Sequence, residues 1–93
     1  MSRHGKELGG LVRDFLGGRA SFRAFHEAYI ARWTRLPPKA LRPEERSEWN
    51  EIYGWILSAV PDPVTPEDSA RGVIGEAELR ERLRRHPLLS HPA

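Results

Sequence analysis

Trp49, Ile52, Tyr53, Ile56, Leu57 and Val60 recur at spacings of three and four within the stretch Ser47 to Val60. That period places them on one face of an α-helix. Glu44, Glu48 and Glu51 fall on another face, with Trp55 near them. One helix therefore carries both the densest apolar stripe and the clearest acidic stripe of the chain. The rest of the sequence has to supply something for the apolar stripe to pack against.

Two further stripes do so. Leu8, Leu11, Val12, Phe15 and Leu16 share a face of a helix expected from Lys6 to Leu16. Gly9 and Gly10 weaken its start by about 1 kcal/mol each relative to Ala, so fraying is expected before Leu8. Gly17-Gly18 ends it, because glycine reaches the left-handed backbone that helix C-termini use. Ser21 is the natural N-cap of a second helix, Phe22 to Arg35. Phe22, Phe25, Tyr29, Trp33 and Leu36 form its stripe, with Ile30 beside it. A connection this short favours an antiparallel hairpin. Pro37-Pro38 stops the second helix.

Pro43 opens the third helix, where its missing N–H costs nothing, and Glu44 and Glu45 suit the positive end of the helix dipole. This helix is expected from Pro43 to Val60, ended by Pro61-Asp62-Pro63. Thr65-Pro66-Glu67-Asp68 is a strong start signal for one helical turn, Pro66 to Arg71. Gly72-Val73-Ile74-Gly75 interrupts it, with Val73 and Ile74 tucked under the helices. The last helix runs from Glu76 to Arg85 with Leu79 and Leu83 inward, and Pro87 stops it. No segment reads as a strand, since no alternating β-branched run is bounded by turns.

The chemistry of a catalytic site is not visible. There is no cysteine, hence no thiolate nucleophile, disulfide or Cys-based zinc site. No glycine loop has phosphate-cradling spacing. His4, His26, His86 and His91 stand at no recognisable ligand spacing to one another or to an acid, so no metal or cofactor is implied. His26 reads as a structural residue, and His4 and His91 as tail residues. Ser21, Ser47, Ser58 and Thr65 have cap or surface roles. The chain does not read as an enzyme.

Charge is uneven. Residues 1–42 carry nine Lys/Arg against three Asp/Glu, a net +6; residues 43–93 carry six against ten, a net −4, leaving +2 for the chain. Arg80, Arg82, Arg84 and Arg85 crowd the last helix, but Glu76, Glu78 and Glu81 are interleaved with them, so an ordinary ion-paired face is expected. The best candidate surface is the row Glu44, Glu48 and Glu51 with Trp55. Acids one turn apart add their fields along a line, and a tryptophan beside them is a typical interface anchor. The plainer alternative is a solvated acidic face with Trp55 in the core.

The succession Leu11-Val12-Arg13-Asp14-Phe15-Leu16-Gly17-Gly18, then Ser21, Phe25 and Trp33, a long helix with a central Tyr53, the Pro61-Asp62-Pro63 break and the closing segment Gly75 to Leu83 resembles the colicin D immunity-like family, small bacterial self-protection proteins. The resemblance spans Leu8 to Leu83 as a pattern of apolar positions and turns. It implies an antiparallel four-helix bundle that binds and blocks a toxin, typically a nuclease, with acidic surface imitating phosphates. On that reading Glu44, Glu48, Glu51, Trp55, Asp62, Glu67 and Asp68 are the partner-binding candidates.

The expectations are therefore these. The fold is all-α: a small antiparallel four-helix bundle with a short extra helical turn before the last helix. Residues 1–93 form one domain, with a core from about 8 to 85 and loose tails at 1–6 and 87–93. The function is non-enzymatic binding of a protein partner, a basic nuclease toxin being the type implied. No cofactor, metal or membrane is involved, and the N-terminus MSRHGKELGG lacks the apolar core of a secretory signal, so the setting is cytoplasmic. The alternatives are a self-associating, homodimeric helical module and a small nucleic-acid-binding accessory protein.

Overall fold

In the computed structural model, residues 2–90 are described. Ser2 caps α1, Arg3–Leu16, its Oγ accepting the Gly5 N–H at 3.0 Å. The helix thus begins three residues before the expected Lys6, and residues 3–6 are helical rather than a loose tail. The reason is long-range. The Ser2 backbone N–H and hydroxyl both donate to the carboxylate of Glu45, at 3.2 and 2.9 Å to Oε1, which pins the helix start. Gly5 and Gly9 are buried where α1 meets its neighbours.

Helix α2, Phe22–Thr34, is capped by Ser21 as its sequence predicts. Helix α3 spans Pro43–Leu57, with proline in its first turn. It ends three residues short of the expected Val60. The chain turns extended at Ala59–Val60, which form β1, and pair in parallel with β2, Ile74–Gly75. The absence of strands expected from the sequence is corrected here: two residues per strand are too few to show a period of two. A parallel pair requires a crossover, and residues 61–73 supply it. They include the cis Asp62–Pro63 peptide bond and α4, Pro66–Ala70, the anticipated extra turn capped by Thr65.

Helix α5, Glu76–Arg85, follows β2 directly, and α6, Pro87–Ser90, is one further turn. Residues 87–90 are therefore helical rather than a loose tail; residues 91–93, with His91, lie outside the described residues. The fold is mostly helical, with a two-stranded parallel sheet at one end of α3.

One core joins these elements. Helix α1 packs on α2, α2 on α3, and α5 on both α1 and α3. Phe15 stacks on Phe25 with ring centroids 4.4 Å apart, and both are buried with Leu8, Val12 and Leu83. Trp49, Ile52 and Ile56 of α3 are fully buried, as the stripe predicts. Its other members part company: Tyr53 and Val60 are half-buried, and Leu57 is 54% exposed. The core row of α3 is instead Glu45, Trp49, Ile52 and Ile56, at three- and four-residue steps.

Candidate functional site

Helical geometry puts Glu44, Glu48, Glu51 and Trp55 along one flank of α3, roughly 5–6 Å between neighbouring Cβ atoms. The structure treats the two ends of this row differently. Glu44 is exposed and Glu48 half-buried, and neither carboxylate has a hydrogen-bond or ion-pair partner among the described residues. Glu51 is engaged internally. Its Oε1 lies 3.1 Å from Nε2 of His86, a side chain only 3% exposed. The Leu88 N–H donates to His86 Nδ1 at 3.2 Å, which leaves the ring proton on Nε2, facing Glu51. His86 thus ties α3 to the α5–α6 junction, two segments far apart in sequence. Trp55 is half-buried. Its ring meets the His86 ring edge-on at 5.5 Å, and the Arg82 guanidinium sits 5.7 Å from its centroid.

Asp62, Glu67 and Asp68 lie on the crossover, which follows the C-terminal end of α3, the Trp55 end of the row. Asp62 has an internal task. Gly75 is the N-cap of α5 and has no side chain to offer; the Asp62 Oδ2 accepts the Ala77 N–H at 3.0 Å in its place. A Cβ at Gly75 would overlap this carboxylate and come within 2.9 Å of Val64 Cγ2, so the glycine makes room for the cap. Glu67 is exposed and Asp68 half-buried in the first turn of α4, where acids oppose the helix dipole favourably.

The arginines of α5 are ion-paired, as their interleaving with glutamates predicts. Arg82 pairs with Glu78, and Arg84 and Arg85 share Glu81. Arg80 does more. It pairs with Glu76 at 2.9 Å, lies 4.1 Å over the Phe15 ring and donates to the Phe15 carbonyl at 2.8 Å. That carbonyl sits in the last turn of α1, where it also accepts the Gly18 N–H at 3.2 Å.

Sequence reasoning missed Glu45, which is buried on the core row and holds Ser2. Its spacing to Trp49 and Ile52 was the available signal. His4, read as a tail residue, is half-buried in α1, its Nδ1 3.7 Å from Glu7. His26 stacks obliquely on Phe22. Among the described residues no three His, Cys, Asp or Glu side chains form a metal-ligating group, and no helix is long and apolar enough to cross a membrane. No protein-family model, curated protein or solved structure matches this chain.

Proposed function

We propose that this chain is a non-enzymatic, immunity-like inhibitor that binds a cationic protein partner, a nuclease-type toxin, through the acidic flank of α3. The single observation that carries the reading is the pair Glu44 and Glu48. Two carboxylates one turn apart stand on an accessible flank with no cation answering them among the described residues. A nuclease cleft is positive because it must hold phosphate, so such a row would be steered toward it and held there. Glu51 and Trp55 act as the rigid end of the row, fixed by His86. Glu67 and Asp68 are further acids on the crossover, beyond the C-terminal end of α3, while Asp62 serves as a cap. In this reading α1, α2, α3 and α5 are the four members of an antiparallel bundle, and the protein works in the cytoplasm without cofactor.

The test is capture of partners from a lysate of the encoding organism, by the wild-type chain and by the Glu44→Gln, Glu48→Gln double variant. A discrete basic protein retained by the first and lost by the second supports the reading. Equal retention by both removes the acidic flank from it.

A second reading rests on Leu57, the large hydrophobic side chain exposed at 54% at the end of α3. Self-association through it predicts a concentration-dependent dimer in sedimentation that Leu57→Gln abolishes. A monomer at every concentration excludes it.

A further inference from the structure

The cations of the α2–α3 corner differ from those of α5 in having no acids to answer them. Arg35, Lys39, Arg42 and Arg46 are all exposed, and none of their side chains makes a hydrogen bond or ion pair among the described residues. They fall on one short segment that ends α2, turns at Lys39 with φ 67° and starts α3. Two clefts open on this corner. One, of about 440 Å³, is lined by His4, Ala28, Ala31, Arg32, Arg35 and Leu36. The other, of about 200 Å³, is lined chiefly by Trp33, Pro37, Pro38, Leu41 and Arg46. Leu36 lines both, so the clefts adjoin along a single wall.

We propose that this double cleft is a docking groove for an extended acidic peptide segment carrying apolar side chains. Cations that converge on one point hold a compact anion; these are strung along a connection and match a strand of negative charge. The smaller cleft lies below the roughly 300–1,000 Å³ of small-molecule pockets, and suits an anchoring side chain. Leu36, Pro37, Pro38 and Leu41 give it apolar walls, which suit aliphatic and aromatic anchors, with Arg46 at its side. Nucleic acid is the less suitable polyanion. Single-stranded binding needs open aromatic faces for base stacking, and the large aromatic ring of the groove, Trp33, is already stacked on Tyr53 at 5.2 Å. Of the acids nearby, Glu7 engages Arg32 at 2.7 Å and lies 3.7 Å from His4 in the larger cleft, which leaves Arg35, Lys39, Arg42 and Arg46 as the unanswered cations among the described residues. Glu45 is buried against Ser2, and Glu44 is two residues from Arg46, hence on the far side of α3. The groove does not depend on the acidic flank of α3.

The experiment is an NMR titration of the isotope-labelled full chain with three probes. These are a short peptide interspersing glutamate with leucine and phenylalanine, a polyglutamate of equal charge, and a single-stranded RNA oligonucleotide of equal charge. The mixed peptide is expected to bind tightest, shifting the Trp33 indole and the Leu36, Ala40 and Leu41 amides. Arg35→Glu with Arg46→Glu, both surface changes, is expected to weaken it about tenfold or more, the loss of one or two charge-assisted contacts. Ala31→Trp, which fills the larger cleft from an exposed helix position, is expected to weaken it as well. Equal binding of polyglutamate, tighter binding of RNA, or indifference to the charge reversal would each overturn the proposal.

Discussion

The Tyr29 hydroxyl donates to the Trp49 carbonyl across 3.0 Å, and both side chains are fully buried. This bond fastens α2 to α3 at the centre of the core. Burial pushes the Tyr29 phenol well above the ordinary tyrosine value near 10, because the phenolate would lose its hydration. A raised pKa in the folded state means that the folded protein keeps a proton the unfolded chain releases. Stability from this group is complete below about pH 10 and falls as the pH rises beyond it, by at most about 1.4 kcal/mol per pH unit. Tyr29→Phe is expected to cost about 1 kcal/mol at neutral pH for the lost hydrogen bond, and to flatten the alkaline decline. Urea midpoints measured at neutral and alkaline pH check both parts; equal alkaline slopes in the two proteins would contradict the assignment.

Glu45 holds the start of α1 from within α3. Glu45→Ala leaves the Ser2 N–H and hydroxyl without their carboxylate, and hydrogen bonds to charged groups contribute about 1.5–3 kcal/mol. A loss of about 2 kcal/mol is expected, with faster amide exchange confined to the first turn of α1. Unchanged exchange at Lys6 would show that the helix start does not need this anchor.

Gly75 and Asp62 form a coupled pair. Gly75→Ala forces the Asp62 carboxylate aside, and Asp62→Ala leaves the Ala77 N–H uncapped, at about 1 kcal/mol for the cap. Because the same carboxylate is lost either way, the double variant is expected to be clearly less destabilised than the sum of the singles. Additive effects in a thermal-unfolding cycle would argue against the cap.

The arginines of α5 should not be equivalent. Arg80→Met removes a cation over Phe15, a bond to the end of α1 and a half-buried ion pair, and is expected to cost about 2 kcal/mol. Arg84→Gln removes an exposed pair at 3.5 Å and is expected to change stability by less than about 0.5 kcal/mol. Similar midpoint shifts for both would contradict the packing role of Arg80.

Much of this was legible along the chain because helices announce themselves locally. Ser21, Thr65-Pro66 and Pro43 each mark a helix start by chemistry within a few residues, and the stripes of α1, α2 and α5 follow the helical period. What escaped depends on distant partners. Ser2 caps a helix weakened by glycines, and Glu45 reaches it from α3, forty-three residues away. His86 stands at no motif spacing to Glu51, yet meets it through the packing of α5–α6 on α3. The β1–β2 pair is set by a crossover, not by alternation. The candidate acids were readable, but which of them are occupied internally was not: His86 and the α5 cap, both tertiary features, claim Glu51 and Asp62.

The proposed surface for a cationic partner is the pair Glu44 and Glu48. It is tested most directly by measuring partner affinity against salt for wild type and the Glu44→Gln, Glu48→Gln variant, with unfolding followed in parallel. Unchanged stability, an affinity at least about tenfold lower for the variant, and a shallower salt dependence are expected. Identical affinities and salt slopes for two equally stable proteins would contradict it.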